Sequence, residues 1–231
     1  MKSASVQAII RALNDSGVRF LVAGGLAVNA HGYLRFTKDA DLVIDLEPTN
    51  IAALFTSVQA LGYRPLAPVT AEQFGNPELR ARLAREKGMQ VLQFYSDAHR
   101  ETPIDVFVTE PFGFDGEFER ALVKDLPGAG PVRFVRLDTH PDEGSDWTTA
   151  GLCRRPAASA SARRTMTELP AEFDDFDWQL TTWEGSRREQ LRRWAELPFE
   201  RVLAALEEME DLARALGSLP RDGSSPPQII P

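Results

Sequence analysis

The stretch "TKDADLVID", Thr37 to Asp45, places acids inside a run that otherwise reads as a buried strand. Ala40, Leu42, Val43, Ile44 and Leu46 supply the apolar positions, while Asp39, Asp41 and Asp45 interrupt them. In an extended chain residues i and i+2 share a face about 7 Å apart, so Asp39 and Asp41 project together. Side-by-side carboxylates repel each other unless a divalent cation lies between them. Hard oxygen ligands of this kind suit Mg²⁺, which keeps waters and substrate phosphates in its shell. A second strand-like stretch, "TPIDVFV", carries Asp105 between Ile104 and Val106. On a neighbouring strand it would complete a three-carboxylate site. Asp45 shares the parity of the first two acids but lies farther along, and is read as a strand-end surface acid. Gly24-Gly25, between a strand and a helix, would let backbone N–H groups approach a phosphate at a helix N-terminus.

Other chemistry-bearing residues read as structural. His31 is a packed or capping histidine, and His99 and His140 show no metal-ligand spacing. Trp178, Trp183 and Trp194 read as packing residues. "RREQLRRW" reads as a solvated helix face, because acids follow it directly.

The elements that must hold the acids follow from periodicity. Residues 4–16 carry Val6, Ile9, Ile10 and Leu13 at helical spacing, and Gly17 is placed to end that helix. "VRFLVAGG" is a short apolar strand, "LAVNAHGY" one or two helical turns, and "ADLVIDL" the second strand. Pro48 opens a helix closed by Gly62, and residues 71–87 predict one more, rather charged. "MQVLQFY", "PIDVFV" and "GPVRFVRL" predict strands. The fold class is therefore α+β, a small mixed sheet flanked by helices, over residues 1–139. Residues 140–165 show no period of 2 or 3.6 and read as an irregular linker. Residues 166–216 form an acidic helical hairpin module, "SRREQLRRWAEL" followed by "PFERVLAALEEMEDLARAL". Ser186 is its first N-cap candidate, with Glu189 at the capping-box position, and Pro198 opens its second helix. Residues 217–231 read as a disordered tail.

Bulk properties narrow the function. The 231 residues carry a net charge of −8. Residues 1–139 hold 15 Lys+Arg against 17 Asp+Glu, and residues 166–231 hold 7 against 14. Such a chain lacks the basic footprint of a protein that grips long nucleic acids. No apolar run approaches the ~20 residues that span a bilayer, so no membrane partner is expected. A lone cysteine, Cys153, excludes an internal disulfide, and the N-terminus lacks a signal-peptide pattern. A cytoplasmic address fits.

The order Gly-Gly, Asp-x-Asp, later strand Asp, seen in "LVAGGLAVNAHGYLRFTKDADLVID" with "TPIDVFV", resembles the polymerase-β-type nucleotidyltransferase superfamily. Within it the wording is most similar to small bacterial nucleotidyltransferases related to abortive-infection and toxin–antitoxin enzymes. The resemblance covers roughly residues 5–137. It implies an enzyme that moves a nucleoside monophosphate from an NTP to a hydroxyl on a tRNA, a protein or a small molecule. It implies two Mg²⁺ ions, held by Asp39 and Asp41, with Asp105 completing the second site and helping to activate the acceptor. It implies phosphate contacts from Gly24 and Gly25, with Arg35 and Lys38 adding positive charge near the triphosphate. The alternative is an impaired nucleotide-binding or toxin–antitoxin-type regulatory module. In either case the helical module would contact the catalytic unit or a partner protein.

In the family pattern a helix resembling Leu-Ile-x-Met-Lys-x-x-x-Gly-Arg-x-x-Asp-x-x-Asp follows the strand at "FVRL". This chain has "HPDEGSDWTTAGLCRRP" there. Shifting the codon frame permits Ile-Arg-Met-Lys-Glu-Ala-Thr-Gly-Arg-Pro-Gln-Asp-Phe-Ala-Asp-Val, and Met166-Thr167 then forces a stop. Residues 140–165 are accordingly expected to be that helix read out of frame, the alternative being a natural low-complexity linker. Residues 166–231 would be a second protein starting at Met166, and the coding DNA decides.

Overall fold

The computed structural model describes residues 1–33, 35–136 and 169–216. The irregular linker and the tail of the sequence reading lie outside the described residues. Seven strands form one mixed sheet: β1 (Phe20–Val22), β2 (Ala40–Ile44), β3 (Arg64–Pro65), β4 (Val91–Tyr95), β5 (Ile104–Phe107), β6 (Leu122–Leu126) and β7 (Gly130–Phe134). Their order across the sheet is β3-β4-β5-β2-β1-β7-β6. β2 is antiparallel to β1 and parallel to β5, and β4 is antiparallel to β5. The predicted α+β class, with its C-terminal helix pair, is the architecture observed.

The helices follow local signals. α1 (Ser3–Asp15) buries Val6, Ile9, Ile10 and Leu13 and stops at Gly17, which takes a left-handed φ of 64°. α2 (Gly24–Ala30) follows β1 directly. α3 (Pro48–Ala60) begins with proline at its first turn and buries Ile51, Leu54, Phe55 and Val58. The single helix expected over residues 71–87 is two. α4 (Ala71–Gly75) ends, and α5 (Pro77–Glu86) starts, at Asn76. Pro77 cannot donate a backbone bond within a helix, and Asn76 accepts from the N–H groups of Glu78 and Leu79 instead. α6 (Phe114–Arg120) and β6 escaped the sequence reading. α6 is only seven residues long, and β6 is an edge strand with alternating exposure and two charged residues.

Two 3₁₀ turns, Ala171–Phe173 and Trp178–Thr181, lead to α7 (Trp183–Ala195) and α8 (Phe199–Ala215). These elements pack on the first unit. Phe173, Trp178, Leu212 and Leu216 belong to the same core cluster as Leu21, Leu42 and Ile104. α8 meets α1 and α2, burying Ala205, Met209, Leu212 and Ala213. Arg201 of α8 bonds Glu101 at 2.7 and 2.8 Å, and the Ser3 amide donates to Glu208 at 3.2 Å. Ser186 is not an N-cap. Thr182 holds that position and accepts from the Gly185 amide at 3.1 Å, so α7 begins earlier and Ser186 falls inside its first turn.

Candidate metal centre

The sheet register builds the site. β2 and β5 align Asp41 opposite Asp105, and β4 aligns Gln93 opposite Asp105. One polar row therefore crosses three strands whose other residues are mostly apolar and buried. Asp39 precedes β2 by one residue, on the face Asp41 shares. One carboxylate oxygen from each of Asp39, Asp41 and Asp105 lies within 4.8 Å of the others. Asp41 and Asp105 are 2% and 1% exposed, while Asp39 is half-buried. The three acids predicted from spacing are thus brought to one point, where they could hold a metal ion.

The surroundings fix each acid differently. Asp39 accepts from the Thr37 hydroxyl at 2.8 Å. Asp41 lies against Gly24, whose φ is +58°; a Cβ there would fall 1.8 Å from Asp41 Oδ2. Gly25 is equally confined, since its Cβ would fall 2.4 Å from Thr37 Cβ. Both glycines are therefore needed for close approach of the chain to the acid-bearing segment. Asp41 Oδ1 is buried and has no hydrogen-bond partner among the described residues. Leaving a buried carboxylate oxygen unpaired costs about 1–3 kcal/mol or more. A metal ligated through that oxygen would remove the penalty, so the donor set fits a hard divalent cation.

Asp105 is held from two directions. Gln93 Nε2 donates to its Oδ1 at 2.9 Å, while Ser186 Oγ and Gln190 Nε2 donate to its Oδ2 at 2.9 and 3.2 Å. Gln93 Nε2 also reaches Ser186 Oγ at 2.7 Å. Burial, then the charge on Asp39, pushes Asp105 up to about 7, against the pull of those three donors. Burial also raises Asp41 well above the carboxylate range; the charges on Asp39 and Asp105 add to this and Arg35 opposes it. Both shifts come from like charges in a dry place, and a bound cation reverses that electrostatic balance.

The predicted cations lie close by. Arg35 is near enough to act on Asp41, and Lys38 on Asp39. Lys38 also faces the Phe36 ring at 5.9 Å and feels repulsion from Arg187 of α7. Asp45, His31 and His99 take structural positions, and His140 lies outside the described residues. Asp45 is ion-paired with Arg19 and accepts from the Glu47 amide. His31 bonds the Val135 carbonyl through Nε2 at 2.9 Å, and His99 stacks on Tyr63. Trp178 and Trp194 are buried, and Trp183 packs against Phe107. Sequence reasoning missed Gln93, Ser186 and Gln190. Two signals were available, a polar residue at the centre of the apolar run "VLQFY" and a Ser/Gln pair at i, i+4 spacing. No protein-family model matches this chain, and no curated protein matches it. Among the described residues no helix is long and apolar enough to cross a membrane.

Proposed function

We propose that this chain is a divalent-metal-dependent nucleotidyltransferase, moving a nucleoside monophosphate from an NTP to a hydroxyl acceptor. One observation carries the reading: Asp41 and Asp105, on two parallel strands, and Asp39, just before the first of them, converge within 4.8 Å, and one buried oxygen among them, Asp41 Oδ1, has no hydrogen-bond partner among the described residues. The sequence resemblance of the Gly-Gly, Asp-x-Asp and strand-Asp pattern supports the reaction class. Bound at these acids, Mg²⁺ would neutralise charge on the attacking and leaving oxygens of an in-line phosphoryl transfer. Asp39 and Asp41 would hold the cations, and Asp105 would complete the second site and help to activate the acceptor hydroxyl. Arg35 and Lys38 would attract the triphosphate, and the backbone N–H groups at Gly24 and Gly25 would approach its phosphates. The acceptor is a tRNA, a protein or a small molecule. Labelled NTP incubated with Mg²⁺ and candidate acceptors should give transfer by wild type. In Asp39→Ala/Asp41→Ala transfer should fall by at least about 10²–10³-fold. Equal labelling by both proteins refutes the reading.

A second reading has one observation of its own. Both oxygens of Asp105 are occupied by protein donors, and α7 covers them. A regulatory module of toxin–antitoxin type that binds nucleotide without turning it over would have this covering. Mg²⁺-dependent ATP binding with no transfer to any acceptor favours it.

A further inference from the structure

Asp105 draws its donors from the neighbouring strand β4 and from α7, late in the chain. Ser186 and Gln190 stand at i and i+4 on α7, which puts them on one helix face. That helix is otherwise strongly charged, yet Ser186 is 1% and Gln190 5% exposed. Their hydroxyl and amide point at a single carboxylate oxygen, 81 and 85 residues away in sequence. The approach of α7 is fixed by backbone contacts to the segment before β4. The Gln90 amide donates to the Thr181 carbonyl at 2.9 Å, and the Trp183 amide donates to Gln90 Oε1 at 2.9 Å. Gly185 makes the start of α7 tight, since a Cβ there would fall 1.7 Å from the Gln179 carbonyl. On the far side Trp194 meets Phe36, in the loop that leads to Asp39, with ring centroids 5.5 Å apart. The helix thus bridges the two acid-bearing segments.

We propose that Ser186 and Gln190 are positioning residues of the metal centre: together with Gln93 they fix the rotamer of Asp105, so that its carboxylate meets the cation held by Asp39 and Asp41. This rests on the metal-site reading above. Partners that orient a ligating carboxylate typically change metal affinity by 10–100-fold when lost. A helix that only fills space would not.

The test is Mn²⁺ titration of the full-length chain, read by the resonance of free Mn²⁺. It compares wild type, Ser186→Ala, Gln190→Leu, and each of these in an Asp105→Asn background. With helical content unchanged by circular dichroism, Ser186→Ala and Gln190→Leu should each weaken Mn²⁺ binding about tenfold or more. In the Asp105→Asn background the same changes should have no further effect, because they act only through that carboxylate. Wild-type affinity in both single variants overturns the proposal and leaves the metal site standing. Equal losses with and without Asp105 also overturn it, as general loosening. Should Ser186→Ala fail to fold, Gln190→Leu carries the comparison. A wild-type chain that binds no Mn²⁺ removes the metal-site reading itself.

Discussion

Two places in this molecule bury acids, and they do so in opposite ways. At the α6–β7 side Glu117 is 1% exposed, and Arg136 meets it with its amide at 2.8 Å and its guanidinium at 3.2 and 3.3 Å. That is the ordinary arrangement, with charge compensated by charge inside the chain. At the centre of the sheet Asp41 and Asp105 are equally buried. The charge on Asp39 acts on both, the donors to Asp105 are neutral amides and a hydroxyl, and Asp41 Oδ1 has no hydrogen-bond partner among the described residues. The first acid is finished by the protein and stabilises the fold. The second pair is left short of positive charge, and with Asp39 it could take a cation from outside. Burial alone therefore does not mark a functional acid; the identity of the partner does.

Removing charge should sharpen this difference. Glu117→Gln should cost about 1.5–3 kcal/mol of unfolding free energy, since Arg136 loses its carboxylate. Asp41→Asn should leave the metal-free fold as stable or more so, because it relieves like-charge repulsion, while abolishing metal binding. Urea unfolding in the presence of a chelator measures both. If the two variants destabilise alike, the contrast between the sites fails.

The same contrast predicts a pH dependence of intermediate size. Folded Asp105 keeps its proton up to about 7, whereas its ordinary value is 3.8. Between those values the folded state binds more protons than the unfolded one, so this group's contribution falls as pH rises. The metal-free chain should lose stability from about pH 4 to about 7, and Asp105→Asn should flatten that slope. Mn²⁺ affinity should run the other way and strengthen across the same window, because the ligand must shed its proton. Unfolding midpoints and Mn²⁺ titrations at pH values on either side of 7 check both signs.

The smallest effect belongs to the surface pairs. Arg192 of α7 bonds Glu189 and Glu196 at 2.6 to 2.8 Å while remaining 58% exposed. Water competes for such pairs, so Arg192→Ala should leave stability close to wild type and Mn²⁺ binding unchanged. A large loss of metal affinity there would mean that α7 acts through its outer charges and not through Ser186 and Gln190.

The sequence alone determined where the three acids stand, because each interrupts an apolar strand pattern and period-two geometry is local. It also marked Gly24 and Gly25, although their confinement against Asp41 and Thr37 is visible only in three dimensions. The split at Asn76-Pro77 was legible in principle, since proline's missing donor is a local fact. Tertiary structure alone decided which strands are neighbours, and so that Asp41, Asp105 and Gln93 form one row. It also decided that Ser186 and Gln190, read as a helix cap and part of a solvated face, close over Asp105. No local rule predicts those bonds, because they depend on where a helix from the far end of the chain docks.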